Sequence, residues 1–540
     1  MKIPTPGQWR TDAQRSPQHS PQRSPHRKSP RIGRLGRRIA VLGATAALAA
    51  GVITLPNAAL ASPGDSPTVV AMARLQIPDW QTKGPEWQAF VRQLDEFKKM
   101  GGTGIEEDVW WGKAALSPTT YDWAYYDQTF SAIVAAGLSI VPIMSFHSCG
   151  TGVGDSGDCA TPIPLPSFVT APVNYGGILG TRPADNFYQS EYGNVSTQAV
   201  APWGMAAPRS YQYMKNFMNA FEDHFGAGFS TKISEIAVST GPAGELREPS
   251  YDAQDAGVAG TPGFFPNRGI LQVYSPAARA SFVQWVLAKY GSVAGAGSAW
   301  GIPGLTLSTI SPPDDHDRFF TSGAYLNSSY GHDLTQWNNE SLVNHGRTIL
   351  DEAIEAFDGS LAHTPLSIKI PGVHWQTMAS SPIRRAPEVA AGLISTNVDV
   401  NSDATGHGYD TILNMVHDAD VHGDGVSPVT HHVVLHFTEL EKPNIEWDGS
   451  AHAYSAAADQ VGWIADAAAA EGVQLKGENA LNGGLYSDGD ASSPGWSHIR
   501  TAFDRDPVKK FSGLTVLRLP DIASGGFAET EMTNFIRDYK

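Results

Sequence analysis

His432-Val-Val-Leu-His-Phe437 and, beyond a segment of helical periodicity, Val473-Gln-Leu-Lys476 are the two stretches whose reading decides the fold. Each is short and apolar with β-forming residues, and the segment between them is too long for a hairpin but suits a crossover between parallel strands. Working outward, similar runs recur at Leu366–Ile370, Ile233–Ser239, Leu138–Phe146, Gly104–Val109 and Val69–Ile77 on one side, and at Leu514–Leu519 on the other. Most are continuous rather than alternating, as expected for parallel strands covered on both faces. Helices between them are legible at Tyr213–Phe225, apolar at 214, 217, 218, 221 and 225, and at Leu342–Phe357. Eight such units predict an α/β protein built as a (β/α)8 TIM barrel. The connections 147–232 and 240–365 are far longer than a crossover needs and rich in Gly, Pro, Ser and Asn. Long loops after strands three and four are therefore expected to form a lobe over the binding face.

Composition limits the rest. The 540 residues are 41% hydrophobic and 10% aromatic, enough for a large core and unlike a disordered chain. Residues 1–38 hold ten Lys and Arg against the single acid Asp12, and lead through Arg37-Arg38 into an apolar run, Ile39–Leu55, and then Ala59-Leu-Ala61. That pattern predicts a cleavable signal peptide over residues 1–61 and a secreted, extracellular protein. A nucleic-acid-binding tail or a retained membrane anchor are the alternatives, and the Arg pair permits twin-arginine export although its flanks match that signal poorly. Processing would leave 28 basic against 53 acidic residues, a net charge near −25. Such a surface disfavours nucleic acid and, once the leader is gone, membrane as partners, and leaves a neutral polymer open. Residues 62–540 are expected to act as one catalytic domain and as a monomer, with no appended C-terminal starch-binding domain, since the chain ends about twenty residues after the eighth strand.

Polar residues at the C-terminal ends of barrel strands converge on one site. Here those ends read Asp108-Val-Trp-Trp-Gly112, Ser145-Phe-His147, Gly241-Pro-Ala-Gly-Glu245, Lys369 with His374-Trp375, Thr438-Glu439, Glu478-Asn479 and Arg518. Glutamates after strands four and seven suit a carboxylate pair straddling a glycosidic bond, one acid and one base or nucleophile. Trp110, Trp111, Phe146, Tyr251 and Trp375 offer flat faces for sugar rings, although a buried aromatic is more often core.

From about residue 70 to 535 the chain resembles the beta-amylases, inverting α-1,4-glucan maltohydrolases of glycoside hydrolase family 14. The resemblance rests on Asp108-Val-Trp-Trp-Gly, Ser145-Phe-His-Ser-Cys-Gly, Val153-Gly-Asp, Gly241-Pro-Ala-Gly-Glu-Leu-Arg, Gly372-Val-His-Trp, Gly477-Glu-Asn-Ala-Leu and Leu517-Arg-Leu, in that order. It implies an exo-acting glycosidase releasing β-maltose from non-reducing ends of starch, with Glu245 as proton donor and Glu478 as general base. It also implies that Asp108, His147, Asp155, Lys369, His374, Thr438, Asn479, Ala480 and Arg518 bind the glucan. A hydrogen-bonding structural role is the rival for the two histidines; for Lys369 it is pairing with a buried carboxylate, and for Arg518 holding a glutamate in place. Thr438 resembles the threonine of the family's mobile inner loop, but Glu439 stands where many relatives have cysteine and Glu248 where they have tyrosine.

No cofactor and no metal are expected. Some bacterial relatives bind calcium with acids soon after the Asp-Val-Trp-Trp-Gly string, where this chain has Lys113-Ala-Ala-Leu-Ser-Pro. Asp418-Ala-Asp420-Val-His-Gly423 opens like a calcium loop, but His422 takes a ligand position and Val429 stands where the closing glutamate belongs. The only two cysteines, Cys149 and Cys159, are expected to form a disulfide in an oxidising compartment, free thiols being the alternative. A retaining β-glycosidase, with carboxylates about 5 Å apart, and a sugar-binding protein that has lost turnover are the competing readings.

Overall fold

A computed structural model describes residues 66–150, 159–171, 186–203, 207–255, 267–425, 431–481, 483–486 and 495–540. The basic N-terminal region, Asp155 and Val429 lie outside the described residues. Eight parallel strands close into a barrel: β1 (Thr68–Met72), β2 (Gly104–Trp110), β3 (Ser139–Ser145), β4 (Ile236–Val238), β5 (Leu366–Ile370), β6 (Val433–Thr438), β7 (Gln474–Glu478) and β8 (Gly513–Val516). Neighbours in sequence are neighbours in space, and β8 pairs β1 to complete the ring. Helices α1 (Pro85–Met100), α2 (Ala124–Ala135), α3 (Ala207–Phe221), α4 (Pro276–Tyr290), α5 (Ser329–Ala356), α6 (Asp410–His422), α7 (Ala457–Glu471), α8 (Gly495–Phe503) and α9 (Phe527–Tyr539) accompany them. The barrel is the fold expected from the eight runs.

Side-chain parity explains why it closes. Successive strand residues point to opposite faces. One parity (Ile105, Val109, Ile140, Met144, Ile236, Val238, Ile368, Ile370, Leu435, Phe437, Leu514, Val516) joins the large buried cluster shared with the helices. The other carries Glu106, Asp108, Lys369, His436, Thr438 and Glu478, all at most 6% exposed. The strands therefore alternate more than the continuous runs implied: polar residues such as His436 and Lys476 are embedded in apolar neighbours. Beneath the mouth, Glu235 accepts from His436 Nε2 at 2.7 Å and pairs with Lys476. Burial pushes the Glu235 carboxyl up, but the charges of Lys476 and His436 prevail and hold it well below the usual range.

Boundaries shift where local chemistry overrides hydrophobicity. The first run extends as strand only to Met72, and β4 keeps three residues of the Ile233–Ser239 run. The helix read at Leu342–Phe357 starts at Ser329, where Ser328 caps it by accepting from Gly331 N at 2.9 Å. Its polar first half is buried: Asn339 donates to the carbonyls of Gly392 and Leu393 at 3.0 and 2.9 Å. The Asp418–Gly423 stretch is the end of α6, and Asp420 receives His432 Nδ1 at 2.6 Å and Val433 N at 2.7 Å.

Candidate active site

The residues predicted from strand ends, Asp155 apart, lie on the loops and strand tips at the C-terminal rim of the barrel. Strand pairing places Thr438 opposite Glu478 and His436 opposite Lys369, while an isolated bridge sets Glu245 beside Lys369. The rim therefore runs from Glu245, after the turn beyond β4, through Lys369 on β5 and Thr438 on β6 to Glu478 on β7. Glu245 is presented by the turn Pro242–Gly244, with Ala243 at φ 56° and Gly244 at φ 83°. Gly241 lets that turn fold back on itself, because a Cβ there would meet the Glu245 carbonyl oxygen at 2.4 Å.

The two glutamates occupy different surroundings. Glu245 Oε2 receives Arg247 Nε at 2.9 Å, and its Oε1 receives Thr438 Oγ1 at 3.3 Å. Thr438 is itself fixed by Gly372 N, which donates to its Oγ1 at 3.0 Å. Burial raises the Glu245 carboxyl above the usual range, against the opposing charge of Arg247, and the nearby charge of Glu478 adds to the rise. Glu478 Oε2 accepts from Lys369 Nζ at 2.6 Å. Lys369 Nζ also stands 3.0 Å from Glu106 Oε1. Desolvation would push the Lys369 ammonium down, yet the two carboxylates hold it well above its ordinary value. One buried cation thus sits between two carboxylates.

Around the pair, Asp108 Oδ1 accepts from Ser145 Oγ at 2.6 Å and His147 Nδ1 is hydrogen-bonded to Ser239 Oγ at 2.9 Å. Burial pushes His147 down to about 3, helped by Lys369 and Arg247, and burial pushes His374 down to about 3, helped by Lys442 and His452. Both imidazoles are neutral hydrogen-bonding groups near neutral pH. Asn479 is spoken for: its Oδ1 accepts from Leu517 N at 2.8 Å and its Nδ2 donates to Tyr486 OH at 2.9 Å. Ala480 N is gripped by both oxygens of Glu441 at 2.8 and 2.9 Å. Arg518 Nη1 reaches Met72 Sδ at 2.9 Å. Cys149 and Cys159 form a disulfide with Cα atoms 5.8 Å apart. Sequence reading named neither Glu106, Arg247 nor Glu441 as a site residue; Arg247 stands in the quoted Gly241–Arg247 string, whereas no spacing marks the other two. Trp110 and Trp111, offered as sugar platforms, are sealed into the protein at no more than 1% exposure. Among the described residues no group of three or more His, Cys, Asp or Glu could hold a metal ion.

This arrangement has counterparts. The family model described as Glycosyl hydrolase family 14 matches residues 76–540. The chain belongs to glycosyl hydrolase family 14. Within family 14 it is 33% identical over 511 residues to a thermophilic beta-amylase of Thermoanaerobacterium thermosulfurigenes, covering 93% of this chain and 79% of that protein. It is 32% identical over 455 residues to a beta-amylase of Cytobacillus firmus, covering 83% of each. The solved catalytic domain of a Paenibacillus polymyxa beta-amylase superposes with a TM-score of 0.70 at 29% identity, over 88% of this chain and 98% of that one. Family 14 membership makes the chain a glycosidase.

Proposed function

We infer that the protein is an exo-acting glycosidase that releases β-maltose from the non-reducing ends of starch and related α-1,4-glucans, with inversion, using Glu245 as proton donor and Glu478 as general base. The observation that carries this reading is the unlike setting of the two carboxyl groups. Glu245 is largely shielded from water and its carboxyl is raised by desolvation, which favours the protonated form an acid needs. Glu478 faces the Lys369 ammonium, a partner for the carboxylate form a base needs. Glu245 gives its proton to the glycosidic oxygen as the C–O bond breaks. Glu478 takes a proton from water, whose oxygen attacks the anomeric carbon from the opposite face. One displacement converts the α-linkage into a β-hemiacetal.

The remaining residues position the chain. Asp108, His147, Asp155 and His374 offer hydrogen bonds to sugar hydroxyls, and Arg518 and Lys369 supply positive charge at the rim. Asn479 acts by shaping the wall. Glu441 fixes Ala480 through its N, and the Ala480 carbonyl is the acceptor that this residue offers to a sugar hydroxyl. Export with cleavage near Ala61, action as a monomer and freedom from membrane after processing complete the reading; among the described residues no helix is long and apolar enough to cross a membrane. Digestion of soluble starch followed by proton NMR of the first-formed product tests it. β-Maltose is expected, and α-maltose or glucose overturns it.

A further inference from the structure

Continuous contacts lead from Glu245 out of the cleft. The Arg247 guanidinium that holds Glu245 lies 4.3 Å over the Tyr251 ring. Tyr251 meets Trp375 edge-on at 5.2 Å, and Trp375 meets His452 at 5.8 Å. His452 also stacks on the substrate-facing candidate His374, 5.5 Å between centroids and 7° between planes. His452 belongs to a loop after β6 whose two ends pair as a small antiparallel ladder, Asn444–Ile445 with Ser455–Ala456. The loop is bound to the segment after β5: Gln376 N donates to Ala453 O at 3.1 Å, and Thr377 N and Met378 N to Tyr454 O at 2.9 and 3.0 Å. Ala456 N donates to Thr377 Oγ1 at 2.7 Å.

At the outer edge of this loop Trp447 stacks on Tyr454, with centroids 5.8 Å apart and planes 25° apart. Tyr454 has a left-handed backbone, φ 57°, held by those hydrogen bonds. Trp447 is 52% exposed, the only exposed tryptophan among the described residues. A lone exposed apolar side chain is ordinary, but this indole is stacked on a second ring in a loop tied by four hydrogen bonds to the segment 376–378, and so presents a fixed aromatic face. Trp447 is half-exposed and Tyr454 partly buried, so each offers less than the roughly 150–250 Å² of a whole aromatic side chain, well below the roughly 800 Å² per partner of a stable protein interface. They match the apolar face of a pyranose ring, and exposed Glu446 and Asp448 beside them can accept hydroxyl hydrogens.

We propose that Trp447, stacked on Tyr454, is a remote subsite that binds a glucose unit of the same α-1,4-glucan chain whose end is cut at Glu245. This rests on the glucan reading above. Binding energy gathered there would hold long chains at the mouth without touching the reacting bond. The test compares KM and kcat of the full mature protein with Trp447→Ala and Trp447→Phe on long-chain amylose and on maltotetraose. For Trp447→Ala, KM on amylose should rise about fivefold, the loss of one ring-stacking contact. The kcat on amylose should stay near that of the parent, KM on maltotetraose should move much less, and Trp447→Phe should restore most of the amylose KM. An unchanged amylose KM, or equal rises on both substrates, overturns the proposal. So does self-association that disappears in Trp447→Ala without a change in amylose KM. A parent protein that releases no maltose from either substrate instead refutes the glucan reading.

Discussion

Replacing Arg247 by Gln removes the guanidinium that pairs with Glu245 and leaves a shorter, neutral polar side chain in its place. Arg247 pairs with Glu245 at 2.9 Å and with Asp252 at 3.0 Å, in side chains no more than 15% exposed. A unit charge about 4 Å away at an effective dielectric near 20 is worth about 4 kcal/mol. At about 1.4 kcal/mol per unit that would be roughly three pKa units, and carboxyls beside arginine are lowered by about one to three. Because Arg247 is shared with Asp252, a rise of about one to two units in Glu245 is the expected result. The sign follows from the role. A general acid works while protonated, so kcat/KM falls as pH rises through its pKa; removing the neighbouring positive charge disfavours the carboxylate and moves that limb to higher pH. Initial rates of maltose release at low substrate, from pH 4 to 10, read the shift directly. Arg247→Lys should hold the limb within about half a unit of the parent, since it retains the charge. The Gln variant also loses the Arg247–Asp252 ion pair, so stability should fall in a urea titration, by up to about 3–5 kcal/mol. An alkaline limb that stays in place in Arg247→Gln refutes the assignment of Glu245 as the acid.

Glu245→Gln and Glu478→Gln should each lower kcat by at least about a hundredfold while amylose still binds by calorimetry. A variant with near-parent turnover would remove its residue from the mechanism. Glu107, buried behind β2, is raised from 4.5 to about 8 by burial, with Thr129 and Lys113 opposing. The stability tied to its protonated form is complete below pH 4.5 and lost as pH climbs to about 8. Glu107→Gln should therefore gain on the parent across that window by up to about 1.4 kcal/mol per pH unit, measured by urea unfolding at both ends. Thiol titration of the denatured, unreduced secreted protein should find no free cysteine; reduction should cost about 2.7 kcal/mol, from the 10-residue separation of the bridge. Intact mass of protein recovered from the medium should place the N-terminus at or near Ser62, and material held only in the membrane fraction would contradict export.

The barrel was legible because its signals are local. Short β runs such as Leu366–Ile370 match the strand residue for residue, and strings such as Gly241–Arg247 place a polar group at a strand end wherever the rest of the chain goes. What was not legible depends on distant partners. Glu106 looks like any strand residue until β5 brings Lys369 to 3.0 Å, and Glu441 like a loop acid until it grips Ala480 N. The first half of α5 shows no apolar stripe, since its buried face carries asparagines whose partners are carbonyls of another segment. Glu439 marks the opposite case. Its identity was conspicuous in sequence, but only the structure shows its carboxyl buried against Gly372, where a Cβ would fall 2.0 Å from it, and pushed well above the usual range by burial.

The Glu235, His436 and Lys476 cluster gives the barrel an internal key. Its members come from β6, β7 and the residue just before β4, and Lys476 lies 241 positions from Glu235 in the chain. A slip of β7 by one residue would turn Lys476 outward among the helices and Leu475 inward, leaving Glu235 short of a charge it needs. Slipped closures would each strand an ion away from water, whereas the native alignment pairs all three. Apolar barrel walls tolerate several near-equal alignments; an ionic floor accepts one. The same alignment sets Glu478, two residues further along β7, at the height of Thr438. Precision at the mouth is thereby inherited from charge matching at the floor.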